Sequence, residues 1–248
     1  MLDNRNIVIT GASRGIGAST ARLCAQHGAR VAVNYMASQA AAEAIVTEIT
    51  DAGGTAVAIG ADVRDEEQVA RMAEEAEKAL GPIDSLVINA SISFPMLPFM
   101  EYPWADFAAK VTGEMQAAFH CARAFVPGML ERKQGNIVAV SSGLSKQAGF
   151  GFCAHSTAKA ALNALVRSMA LELSPSGIRV NTVSPGLTIT DATSHVPDEQ
   201  KKMISGMTPL RRNGLPEDIA GVILMMLSEE TRFVTGGYIP VDGGMTML

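Results

Sequence analysis

The chain has 248 residues, 48% hydrophobic and 18% charged, enough for one large α/β domain with a substantial core. Its net charge of −5 offers no basic footprint for nucleic acid or anionic lipid. Cys24, Cys121 and Cys153 are an odd number without metal-ligand spacing, so they read as reduced thiols of a cytoplasmic protein, and no metal site is expected.

Short runs rich in Val and Ile recur at 5–10, 30–35, 56–60, 84–89, 136–141, 178–183 and 238–241. Helical patterns fill the intervals near 15–27, 38–52, 65–80, 103–131, 152–174 and 216–228. This alternation predicts a seven-stranded parallel sheet with helices on both faces. No basic-then-apolar leader precedes the first strand and no run is apolar enough to span a bilayer, so neither a signal peptide nor a membrane anchor is expected. No linker or repeat interrupts 1–248, so a single domain is expected. Two stretches fit the alternation poorly. Residues 91–104 hold three prolines and large apolar side chains, and read either as a substrate loop or as plain core packing. Residues 187–212 are polar with scattered Met and read as a mobile lid. Both follow strand C-termini, where open α/β sheets bind ligands.

The most informative run is TGASRGIG at 10–17, placed between an apolar strand and a helix. Gly11, Gly15 and Gly17 there allow a tight turn and a close approach of pyrophosphate to the helix N-terminus. Further along come Asp62-Val63 after strand three, INAS (88–91) after strand four and VSS (140–142) after strand five. Lys159 follows in the next helix, then SPG (184–186) after strand six and PVDGG (240–244) near the end. In order and spacing this set resembles the short-chain dehydrogenase/reductase family over the whole chain. The type is closest to the β-ketoacyl-ACP reductases, through PLRRNGLPEDIAGVILMML and the closing VDGG.

The resemblance implies a single-domain Rossmann fold that binds a nicotinamide cofactor. By it, Gly11, Ser13, Arg14, Gly15, Ile16 and Gly17 hold the pyrophosphate, and Asp62 and Val63 hold the adenine. Asn89, Ala90 and Ser91 line the cofactor, with Ser91 standing where the family usually has Gly. Pro185, Gly186, Thr188 and Thr190 hold the carboxamide, and Lys159 reaches the ribose hydroxyls. The second strand ends Val33-Asn34-Tyr35 without the carboxylate that prefers a ribose 2′-OH, and Arg14 offers donors to a 2′-phosphate, so Asn34 and Tyr35 are expected in an NADP(H) pocket.

The family's catalytic set is Asn, Ser, Tyr and Lys. Ser142 and Lys159 match. The Tyr position, four before Lys159 and thirteen after Ser142, holds His155. The Asn position, placed by matching Phe119 and Met129 to the family's helix, holds Glu114. His155 and Lys159 share a helix face, and the ammonium disfavours an imidazolium. Glu114 suggests a compensation: a carboxylate beside both would neutralise Lys159 and favour the imidazolium, restoring a general acid near neutral pH. Alternatively Glu114 is a surface residue of a long helix.

Three functions follow. The first is NADPH-dependent reduction of a carbonyl on a small-molecule or acyl-carrier-bound substrate, for instance a β-ketoacyl or polyketide thioester. The second is reduction of an activated C=C or C=N bond, which makes less demand on a strong acid. The third is a cofactor-binding scaffold or non-redox enzyme. The family's usual assembly implies a homotetramer, or a dimer.

Overall fold

In the computed structural model, which describes residues 1–247, the sheet is seven-stranded, parallel throughout, in the order β3-β2-β1-β4-β5-β6-β7. The strands are β1 (Asn6–Ile9), β2 (Arg30–Tyr35), β3 (Thr55–Gly60), β4 (Ser85–Ile88), β5 (Gly135–Val140), β6 (Ile178–Pro185) and β7 (Tyr238–Val241). The helices are α1 (Gly15–Gln26), α2 (Gln39–Asp51), α3 (Glu66–Leu80), α4 (Trp104–Arg132), α5 (Cys153–Leu173), α6 (Asp198–Met207) and α7 (Pro216–Leu227). Sequence and structure therefore agree on a doubly wound α/β fold.

Its strands are apolar on both faces because both faces are covered. Ile7, Ile9, Val31, Val33, Val87 and Val138 pack beneath α1, α2 and α7. The residues between them, including Val8, Ala32, Leu86, Ile88, Ile137 and Ala139, pack beneath α3, α4 and α5. Helix ends follow local chemistry. Asp65 caps α3 by accepting from the Gln68 N–H at 3.0 Å, and Glu66 and Glu67 sit at the positive end of its dipole. Pro216 opens α7, where its missing N–H costs nothing.

The strand order reverses between β1 and β4, and the chain turns there into a crevice at the C-terminal edge of the sheet. The stretch 187–212 is not a plain loop. It contains α6, which starts at Pro197-Asp198-Glu199, a helix-start signal that its polarity obscures. The stretch 91–104 is not plain core packing either: Phe99, Met100 and Trp104 are exposed, whereas Phe94 and Leu97 are half-buried. Among the described residues, no helix is long and apolar enough to cross a membrane.

Candidate active site

The turn between β1 and α1 forms a cradle that side chains would fill. Gly11 has φ +60°, and a Cβ there would lie 2.9 Å from the Ala90 Cα. A Cβ on Gly17 would lie 2.6 Å from the Gly11 carbonyl oxygen and 2.6 Å from the Asn89 amide nitrogen. Arg14 is the N-cap of α1, its side chain exposed, and no side chain caps the first turn, so the helix presents bare N–H groups to the crevice. Thr190 faces Gly15 from the opposite side. An anionic, elongated group fits this cradle.

The residues around it divide into those that line the crevice and those that brace it. Asn89 donates to the Thr10 and Gly11 carbonyls at 2.9 and 3.0 Å, and the Asn89 and Ala90 N–H groups both donate to the Thr10 hydroxyl. Asn34 is a correction to the sequence reading. It is buried, its oxygen accepts from the Gly11 N–H, and its amide donates to the Ile59 and Ala61 carbonyls. It locks β2 to the glycine turn and has no donor left for a ligand. Val63 also belongs to the core, so its main chain is what it offers a cofactor. Asp62 is held by Arg64, whose guanidinium donates to both carboxylate oxygens, and this pairing keeps its carboxyl below the usual range. Tyr35 is half-buried against Gly60. Ser13 and Ile16 flank the turn half-buried. Pro185 ends β6, the Gly186 N–H donates to Val241, and Thr188 donates to the Gly186 carbonyl, which fixes that segment across the crevice.

Ser142 follows β5, where its hydroxyl accepts from the Leu144 N–H at 3.2 Å. Lys159 reaches the same strand end from α5 and donates to the Val140 carbonyl at 2.9 Å. His155 lies one turn earlier on α5. Its ring stacks on Phe94 at 4.8 Å between centroids and 18° between planes. Its Nδ1 is enclosed without a partner, which favours the neutral tautomer that carries its proton on Nε2.

Glu114 points inward, 3% exposed, and ion-pairs with Lys159 from across the α4–α5 interface. A second lysine meets it. Lys110, one turn earlier on α4, is fully buried, and its ammonium donates to Glu114 at 2.6 Å, to the Ile92 carbonyl at 2.7 Å and to the Ser91 hydroxyl at 3.0 Å. The carboxylate thus lies between two cations. Burial pushes the Glu114 carboxyl up, but the two ammonium groups outweigh it and hold it at about 2. Burial lowers Lys110 to about 8, with Lys159 adding to the effect and Glu114 opposing it.

This arrangement disfavours the imidazolium that the Glu114 compensation requires. His155 is pushed down to about 3, first by burial and then by Lys159 and Lys110, and Glu114 offsets only part of it. Near neutral pH the ring is an uncharged imidazole. The charge that Glu114 offers His155 is outweighed first by burial of the ring and then by Lys159, with Lys110 adding to both. Lys110 escaped sequence reasoning because a lysine on a long helix reads as solvated; its one signal is the i,i+4 spacing to Glu114.

Residues 11–246 match a family model described as enoyl-(acyl carrier protein) reductase. The chain is 36% identical to an L-rhamnose 1-dehydrogenase (NAD(P)(+)) of Azotobacter vinelandii, over 99% of this chain and 98% of that one. It is equally similar, at 36%, to a 3-oxoacyl-[acyl-carrier-protein] reductase of Staphylococcus aureus, over 98% of both. Among solved structures, a 7α-hydroxysteroid dehydrogenase complexed with NADH and 7-oxo-glycochenodeoxycholic acid superposes with a TM-score of 0.94 at 34% identity, covering 98% of this chain and 94% of that one. A Beutenbergia cavernae protein, assigned as an NAD(P)-dependent gluconate 5-dehydrogenase and holding NADP at low occupancy, gives 0.92 at 34%, over 98% and 97%. Taken with the parallel sheet, the glycine cradle and the Ser142–Lys159 pair at the β5 end, these matches mean that the chain belongs to the short-chain dehydrogenase/reductase family of oxidoreductases.

Proposed function

We propose that the protein is an NADP(H)-dependent oxidoreductase that interconverts a carbonyl and an alcohol through a Ser142–His155–Lys159 site. The observation that carries this reading is the retention of Ser142 and Lys159 at the β5 end beside an open glycine cradle, with a donor ring at the position of the lost Tyr. A nicotinamide bound in that cradle supplies or takes the hydride. The chain's own groups do the rest. The Ser142 hydroxyl and the Nε2–H of His155 donate to the oxygen on which negative charge develops, as a neutral imidazole does when it acts as an electrophile rather than an acid. The alkoxide so formed is basic enough to draw its proton from Nε2 or from water. Lys159 stands behind the site, ion-paired with Glu114, and the main chain at Gly15 and Gly17 holds the pyrophosphate end.

The preference for NADP(H) follows from charge. Neither Asn34 nor Tyr35 opposes a 2′-phosphate, and Arg14 stands exposed at the cradle. Arg14→Ala is expected to raise the KM for NADPH about tenfold, the loss of one charge-assisted contact, and to leave the KM for NADH within about twofold. Equal effects on both would contradict the assignment. The substrate reading, a β-ketoacyl or other thioester-borne ketone, rests on likeness to the acyl-carrier-protein reductases and on the apolar 91–104 stretch beside His155. It is tested by NADPH oxidation with a β-ketoacyl thioester. A second reading, hydride delivery to an activated C=C or C=N bond, is favoured by one observation: a neutral imidazole is a weak proton source. Cytoplasmic location and a homotetramer complete the proposal. Phe119 and Leu171 are exposed on the two long helices α4 and α5, and Met247 in the tail is exposed too. Of the apolar tail, Leu248 lies outside the described residues.

A further inference from the structure

We infer that Lys110 is a positioning residue of this site, one that holds the wall of the His155 ring and places a second positive charge where it opposes protonation of that ring. The inference rests on the reading of His155 as the group facing the substrate oxygen. Its basis is geometric. Each of the three ammonium protons of Lys110 has an acceptor, and two of those acceptors, the Ile92 carbonyl and the Ser91 hydroxyl, belong to the segment leaving β4. The third, Glu114, belongs to α4 itself. The lysine therefore clamps that segment onto the helix. Two residues beyond Ile92 comes Phe94, whose ring centroid is 5.0 Å from the same ammonium and which stacks on His155. The clamp and the stack are parts of one contiguous unit.

The charged groups facing His155 are Lys159 on its own helix and Lys110 and Glu114 on α4; residues 91–94 contribute none. With both lysines protonated and Glu114 ionised, the set carries a net charge of +1. Removing Lys110 brings it to zero, with a carboxylate left to attract a proton to His155. Removing Lys110 and Glu114 together returns it to +1. Ser91, Lys110, Glu114 and His155 thus form one interdependent group, and the substitution at the Tyr position cannot be read alone.

The test needs no turnover. The imidazole nitrogens of His155 are followed by two-dimensional 15N–1H NMR against pH in the intact protein, assigned through His155→Phe, for wild type, Lys110→Met, Lys110→Gln and Lys110→Met/Glu114→Gln. In wild type His155 stays neutral down to pH 5. In either single variant its midpoint rises by about one unit or more, the shift expected from losing a nearby like charge. In the double variant it falls back toward wild type. Lys110→Gln keeps an N–H donor for Ile92, so the result survives if Lys110→Met does not fold. A wild-type midpoint between pH 5 and 7 overturns the inference, as does a midpoint unmoved in the single variants. Because the readout is ionisation, a failure here is distinct from a failure of the carbonyl reading, which only turnover can show.

Discussion

Replacing Glu114 with Leu is expected to cost about 3–5 kcal/mol of stability, the scale for stripping one partner from a buried ion pair. The variant leaves the ammonium groups of Lys110 and Lys159 side by side in the α4–α5 interface, neither with an anion. Lys110→Met added to Glu114→Leu should recover part of that loss, because it removes one of the two stranded cations and leaves Lys159 as the single buried charge without an anion. Denaturant unfolding at pH 7 measures both. The same groups set the acid limit. His155 binds its proton at about pH 3 in the fold against 6.5 ordinarily, so the folded state takes up fewer protons in between and stability falls as pH drops from 6.5 toward 3. Glu114, held at about 2 against 4.5, adds a second loss as pH falls below 4.5. Glu114→Leu should abolish that second loss. A variant as stable as wild type would mean that the triad is not the buried network described.

Lys159→Met is expected to lower kcat/KM by about 10³-fold while leaving the protein folded, within the range found when a charged group is removed from a preorganised site. It is a cleaner cut than Glu114→Leu because Lys110 continues to pair with Glu114. The loss should fall on kcat if Lys159 acts on the charge that develops at the oxygen, and on the cofactor KM if ribose binding is its main task. Steady-state kinetics with saturating NADPH separates the two, and a variant retaining more than a tenth of wild-type activity contradicts a central role.

The fold was legible because the strands are short, Val- and Ile-rich and regularly spaced, and because both faces of a parallel sheet are buried, which leaves little ambiguity. The cradle was legible because glycines at fixed spacing between a strand and a helix have few other uses. His155 was singled out by counting from Ser142 and Lys159 on the family's spacing, and the structure sets it one turn before Lys159 on α5. What sequence did not reveal depends on the direction a side chain takes. Asn34 sits at a strand end where a polar residue suits a ligand or the fold equally; three-sided burial decides for the fold. Lys110 and Glu114 have the spacing of an ordinary surface pair, and only the packing of α4 against α5 and the 91–94 segment turns them inward. The helix α6 was hidden by polar composition, and the loop 91–104 divides between Phe94 against His155 and Phe99, Met100 and Trp104 in solvent.

The most direct measurement is NADPH oxidation with a β-ketoacyl thioester by wild type and by His155→Phe, a ring that retains the stack on Phe94 but has no nitrogen. Wild type is expected to turn over, and His155→Phe to fall about 10²-fold in kcat with its NADPH affinity unchanged, the cost of one donor to a developing oxyanion. Equal activity in the two proteins, or turnover only when His155→Tyr restores a phenol, would contradict a donor role for His155.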